Sequence, residues 1–250
     1  MADIPRAQEQ VFDASTSARD RYARLVVGRP GWPALLRHEL ITLCCQATPG
    51  ALGLALRKIL YPRLLGACGR NVVFGQNVVL RHPGKIRVGD NVMIDDNCLL
   101  DAKGETNGGI TIGSGVFIGR NSILSCKNGD ITIGDRANIG FNCEVFSASQ
   151  VTVGADTLLA AYCYVIGGDH EYADVSKPVT EQGRRSKGIS VGEGAWLGAG
   201  AKILDGVRVG RHAIIGAGAV VGVDVPAYAV ATGRPARILG QRGDVPEPAE

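Results

Sequence analysis

Aromatic residues make up only 5% of the 250 residues, with two Trp, five Phe and six Tyr. A thick core of stacked rings is therefore excluded, and any interior must be filled by Val, Ile, Leu and Ala. Charge of one sign is also scarce. The formal net charge is +3, and no basic run occurs, so a nucleic-acid partner is not expected. No C-x-x-C pair is present among the seven cysteines, and Cys44-Cys45 are adjacent, a poor geometry for metal ligands, so no metal is expected. Long apolar runs are missing too. The apolar stretch from Leu40 to Leu56 is broken by Pro49-Gly50, which argues against a transmembrane span. Without a signal peptide, an odd number of cysteines in core positions points to a reducing cytoplasm.

What the chain does have is glycine, 35 residues of it, in a six-residue unit. The unit opens on an aliphatic residue, often has Gly second, and has a small residue fifth. Ile112-Gly113-Ser114-Gly115-Val116, Ile118-Gly119-Arg120-Asn121-Ser122 and Ile133-Gly134-Asp135-Arg136-Ala137 are examples. It returns at Ile139-Gly140, Val153-Gly154, Val191-Gly192, Leu197-Gly198, Val209-Gly210, Ile215-Gly216 and Val221-Gly222. This is neither the 3.6-residue period of a helix nor long strict alternation. It is the mark of an all-β solenoid, a parallel β-helix of hexapeptide repeats. At roughly 3.3 Å per residue, six residues supply one short strand and a corner. Three such strands close a coil of roughly eighteen residues, with the aliphatic positions stacked inside. The fifth positions run from Val92 and Cys98 through Cys143 and Cys163 to Ala219 and Val225, all small or β-branched. The cysteines there are core residues rather than ligands.

Around this repeat the chain divides into four parts. Residues 1–29 read as a flexible arm. Residues 30–70 read as a helical cap, since Leu35, Leu36, Leu40, Leu43, Leu52, Leu56, Ile59 and Leu60 recur at helical spacing on either side of Pro49-Gly50. Solenoids need covered ends, so a cap over the first coil is preferred to a peripheral membrane contact through residues 32–65. Coils fill 71–240, starting weakly near Val72 and then at Val88, Ile112, Ile133, Val153, Val191 and Val209. Excess length falls at one corner, briefly at 103–109 and 127–130, and at length in a loop over 169–188. Residues 241–250 form a Pro- and Glu-rich tail.

A long loop on a rigid scaffold is where chemistry concentrates. His170 opens that loop directly after Val165-Ile166-Gly167-Gly168, whereas His38, His82 and His212 lie elsewhere. Imidazole titrates near neutral pH and can take a proton from a hydroxyl, so His170 is the candidate general base. Asp169 and Glu171 flank it, and the sequence does not choose which of them orients the ring.

With these residues in place, the chain resembles the hexapeptide-repeat acyltransferases, which fold as a left-handed parallel β-helix. It is most similar to bacterial sugar O-acetyltransferases of the galactoside and maltose type. The resemblance rests on Gln150-Val151-Thr152-Val153-Gly154 leading to Gly168-Asp169-His170, on Ile189 to Ala199, and on Gly216-Ala217-Gly218-Ala219-Val220 with Gly233-Arg234-Pro235-Ala236-Arg237. It implies a homotrimer with its site between neighbouring subunits, acetyl-CoA as acyl donor, and a small-molecule or saccharide acceptor. It also implies that His170 acts as base, that Ala199 and Ala217 supply backbone contacts to the coenzyme, and that Arg237 meets its phosphates. Trp196 would line the same groove, and Asn142 would contact the acceptor. Many relatives carry Thr-Lys-Asp where this chain has Gly222-Val223-Asp224, so Arg234 or Arg242 would replace the missing lysine.

The expected activity is transfer of an acetyl or other short acyl group from acyl-CoA to a sugar hydroxyl. Transfer to the amine of an amino sugar and a non-catalytic β-helix scaffold are the alternatives. A zinc enzyme on the same fold would need three His at one metal, and His82, His170 and His212 are not spaced for that. The expected location is the cytoplasm, or its membrane surface.

Overall fold

Each aliphatic residue expected to open a coil lies beside its counterpart in the next coil. In the computed structural model, which describes residues 16–244, Val88 pairs with Ile112, Ile112 with Ile133 and Ile133 with Val153. Val153 then pairs with Val191, Val191 with Val209, and Val209 with Val225. The strands form three sheets of seven, nine and seven strands, parallel except for the closing strand Ala236–Gln241, and these are the faces of a left-handed parallel β-helix. The first face carries the coil-opening residues. The second holds strands such as Asn138–Ile139 and Trp196–Leu197, and the third holds Glu144–Ser147 and Tyr164–Gly167. The chain enters slightly earlier than the sequence suggested. Ala67–Cys68 already pairs with Arg87 and Val88, but Cys68 occupies the slot where later coils place an aliphatic residue, which hides the repeat there.

The interior follows from the unit. Its first and fifth residues point inward, and the fifth positions from Val92 to Val225 are all buried. Second-position glycines lie against the backbone of the coil above. A Cβ on Gly154 would come 2.5 Å from the Glu193 nitrogen, and one on Gly192 the same distance from that of Arg211. Corners require a left-handed residue, which Asn and Gly adopt most readily. Asn97, Asn121 and Asn142 fill one column of such corners with φ near +60°, and Asn121 Nδ2 donates to Asn142 Oδ1 at 3.1 Å.

Two helices, α2 (Trp32–Cys45) and α3 (Gly50–Leu60), follow the shorter α1 (Ala18–Tyr22). They cover the first coil as a cap. Ile41, Cys45, Tyr61 and Leu64 join one core with Val72, Phe74 and Val78. Arg57 is buried between them, and its guanidinium donates to the carbonyls of Phe74, Cys45 and Thr48 at 2.8–3.0 Å. The expected arm is ordered in its second half. Ser17 Oγ caps α1 by accepting from Asp20 N, a wider turn over Ala23–Val27 buries Ala23 and Val27, and His82 N donates to Val26 O at 2.7 Å. The physical reason is that these apolar residues cover the turn around His82, which the charge pattern of the segment does not reveal. The first fifteen residues lie outside the described part. At the other end the helix closes as a hairpin, with Ala229–Gly233 turning back antiparallel into Ala236–Gln241. The tail expected from 241 therefore begins inside a strand, and residues 245–250 lie outside the described part.

Candidate active site

His170 is held on a short ladder rather than in a free loop. Asp169–His170 pairs antiparallel with Arg184–Arg185, and Glu171 N donates to Gly183 O at 2.9 Å. The returning limb is tied down by Asp205, whose carboxylate accepts the N–H groups of Lys187 and Gly188, and by Ser186, which donates to Gly167 O. Gln182 fastens the tip by donating to the carbonyls of Asp174 and Lys177. The loop thus leaves and rejoins the coil at the corner between the third and first faces, with His170 at its root.

Neither flanking carboxylate orients the imidazole. Asp169 accepts the backbone N–H of His170 at 2.8 Å and faces Arg185 at 3.6 Å. Glu171 lies against Gly183 on the opposite limb. The His170 Nδ1 is buried without a hydrogen-bond partner among the described residues. A buried ring nitrogen left open in one copy of the chain is costly unless something outside that copy meets it.

The remaining expected site residues gather at a different corner, between the second and third faces. One outward column there runs Arg120, Phe141, Ala161, Ala199, Ala217, set by the bonds from Gly200 N to Ala161 O and from Gly218 N to Ala199 O. Three consecutive coils therefore show only methyl groups at this edge. Phe141, with the Arg120 guanidinium 4.2 Å above its ring, walls one end of the strip. Arg234 walls the other, its Nε donating to Gly218 O at 2.7 Å. The N–H groups of Ala199 and Ala217 donate to no carbonyl of the described residues. Trp196 stands exposed on the adjoining second face between Leu158 and Ile214. Arg237, also exposed, pairs with Thr232 in the closing hairpin. Asn142 sits at the same corner one coil before Ala161, so the structure groups it with the coenzyme candidates and not beside His170.

Sequence reasoning missed two features. Tyr162 follows Asn142 in the left-handed column at φ 63°, with its ring 66% exposed, where neighbouring coils have Asn or Gly. A bulky residue is strained there, and such strain often marks a working site. Its signal was an aromatic residue in the fourth slot of a unit. Glu144 and Tyr164, in register on the third face between the two corners, are half-buried, and burial pushes both their pKa values up.

The other histidines stay apart from His170. His38 is buried on the inner face of α2 and contacts Leu80 O, His82 is buried in the first coil, and His212 stacks on Tyr228. A cavity of about 230 Å³ lined by Tyr22, His38, Gln46, Tyr61 and Arg81 lies at the capped end, away from both corners.

A coil of hexapeptides carrying one histidine-rooted loop and one corner of methyl groups defines the class by its fold, a left-handed parallel β-helix. A family model described as bacterial transferase hexapeptide (six repeats) matches residues 188–222, and one described as hexapeptide repeat of succinyl-transferase matches residues 130–166. Over these two stretches the chain is similar to hexapeptide-repeat transferases. Among its relatives, the probable acetyltransferase Rv3034c of Mycobacterium tuberculosis is 29% identical over 133 residues, 53% of this chain and 44% of its own length. The polysialic acid O-acetyltransferase of Escherichia coli O1:K1 / APEC is 34% identical over 122 residues, 48% of this chain and 39% of its own length. The chain thus spans less than half of each of these two relatives. A variant of AntD, an N-acyltransferase from Bacillus cereus in complex with dTDP-4-amino-4,6-dideoxyglucose and coenzyme A, shares the fold. It is 22% identical, with a TM-score of 0.50 over 70% of this chain and 82% of that one.

Proposed function

We propose that the protein transfers an acetyl or other short acyl group from acyl-CoA to a saccharide hydroxyl, at sites shared between neighbouring copies of a homotrimer. One observation carries the reading. His170 and the strip from Ala161 to Ala217 occupy opposite corners of the third face at overlapping levels of the coil. Threefold packing would set the His170 corner of one copy against the methyl strip of the next. The residues at the strip fit a coenzyme. Their small side chains leave the backbone N–H groups of Ala199 and Ala217 open to an extended amide chain. Trp196 offers an apolar flank, and Arg234 and Arg237 offer cations to phosphates in place of the missing lysine. Bound there, acyl-CoA would supply an activated thioester.

His170 then takes the proton of the acceptor hydroxyl as that oxygen attacks the thioester carbonyl; the carbon–sulfur bond breaks, the proton passes to the departing sulfur, and coenzyme A leaves as its thiol with the acyl ester on the sugar. The hydroxyl's pKa lies far above neutral, so attack without a base is slow, and a base fixed at a ladder root can be aligned for it. Asn142 and Tyr162, at the strip's edge, would hold the sugar. The name of the Escherichia coli relative supports a saccharide hydroxyl as acceptor. AntD supports a second reading, in which the acceptor is the amine of an amino sugar. The seven unpaired cysteines support a reducing, cytoplasmic setting.

Purified protein incubated with acetyl-CoA and a panel of sugars, saccharides and amino sugars tests this by thiol release. Acceptor-dependent release with O-acetylated product is expected. Release confined to amines would replace the hydroxyl reading, and no release with any acceptor would remove the enzyme.

A further inference from the structure

We propose that the outer face of the N-terminal helical hairpin docks the protein on an anionic lipid surface. The inner face of α2, with Leu35, His38, Ile41 and Cys45, is buried against the coil. Trp32, Leu36, Leu40 and Leu43 recur at four- and three-residue steps on roughly the opposite side of the same helix. They are 64%, 55%, 52% and 80% exposed. The neighbouring helix repeats the arrangement. Gly53 and Arg57 of α3 face inward, while Leu52 and Ile59, 66% and 58% exposed, face out. The hairpin is therefore a cap on one side and an uncovered apolar surface on the other. Exposed apolar area concentrated in this way marks a contact site.

Charge selects the occupant. Residues 16–66 contain eight basic and two acidic side chains, a net +6, whereas residues 67–250 contain eighteen and nineteen, a net −1. Arg37 and Lys58 border the apolar stripes, and Arg19 and Arg63 are exposed on the same part of the chain. Apolar stripes edged by cations are what interfacial helices present to anionic headgroups. With Arg57 buried inward, the seven other basic and two acidic side chains leave a net +5, so a second copy of the chain would bring +5 against +5 and self-association is disfavoured at this face. No described helix is long and apolar enough to cross a membrane, so the contact would lie in the interface plane.

Flotation of full-length protein with phosphatidylglycerol–phosphatidylcholine vesicles, compared with pure phosphatidylcholine, tests the proposal. Binding to the anionic vesicles should exceed that to neutral ones by at least about tenfold and weaken with salt. The triple variant Leu36→Glu, Leu40→Glu, Leu43→Glu should lose binding to a similar degree. Because these side chains are exposed, it should keep the melting temperature and any thiol-release activity. Absence of flotation would overturn the proposal. So would a triple variant that still floats, or one that instead lowers the oligomeric mass in light scattering, since a second copy would then cover the face.

Discussion

Asn142 and His170 stand at opposite ends of the same face. The register Glu144 with Tyr164 and Ser147 with Gly167 places Asn142 at the start of the third face, and His170 leaves from its finish. Four residues of strand, Glu144–Ser147 in one coil and Tyr164–Gly167 in the next, lie between those ends, about 13 Å at the usual rise. Under the proposed function, the two corners would become one site only across an interface between copies of the chain.

Tyr162 should be replaceable at a gain in stability. A bulky residue in the left-handed region costs about 1–2 kcal/mol, and Asn tolerates it as it does at positions 121 and 142. Tyr162→Asn should raise the melting temperature by roughly 2–8 °C for a chain of this size. Calorimetry checks it, and a lower melting temperature would show that the exposed ring gains more from a contact than the backbone loses.

Arg57 should be the most sensitive residue of the cap. Its guanidinium satisfies three carbonyls inside the structure, and Arg57→Met would leave them unpaired at a cost of about 3 kcal/mol or more. Arg57→Lys should recover little, because a single ammonium cannot span the Phe74 and Cys45 oxygens as the planar fork does. Denaturant unfolding of the two variants would decide this, and a Lys variant as stable as the parent would contradict the account.

His82 should make the N-terminal segment acid-sensitive. Its Nε2 donates to Arg24 O at 2.9 Å, while Nδ1 is buried without a partner. Burial, the largest cause, holds its pKa below the usual imidazole value. For a depressed folded pKa, the stability it lends is present above the ordinary value near 6.5 and is lost as pH falls through the folded one. The protection of amides over residues 18–27, corrected for the intrinsic pH dependence of exchange, should therefore fall between neutral pH and pH 5. His82→Asn, which keeps the left-handed turn, should flatten that dependence. Unchanged protection in the parent protein across that range would contradict it.

The repeat was legible because its period is physical. Every inward slot between Val88 and Val225 must be aliphatic or small for the coil to close, so register, corners and the position of the long loop followed from spacing alone. Two things were not legible. The weak first coil begins at Cys68, where the aliphatic marker is missing. The separation of Asn142 from His170 depends on which corner each occupies, and a one-dimensional period does not display that. Tyr162 shows a further limit, since only the backbone conformation reveals that an aromatic residue stands where the column otherwise uses Asn or Gly.

Arg234 should matter for the donor and not for the chemical step. Removing a cation that contacts phosphates weakens ground-state and transition-state binding alike, which raises KM and leaves kcat nearly unchanged. Arg234→Ala should raise the KM for acetyl-CoA by roughly tenfold, the equivalent of one charge-assisted hydrogen bond. A fall in kcat with unaltered KM would place the residue elsewhere in the mechanism.

The shared site is tested most directly by mixing two inactive variants. His170→Ala should lower kcat by roughly 10²- to 10⁴-fold as the base is lost, and Ala217→Trp should block the methyl strip. Unfolded together and refolded at equal ratio, they form trimers in which an intact His170 corner meets an intact strip at about a quarter of the interfaces. Acetyl transfer should therefore return to about a quarter of the parent rate, although neither variant alone is active. Mixed trimers that stay inactive would contradict a site built by two copies.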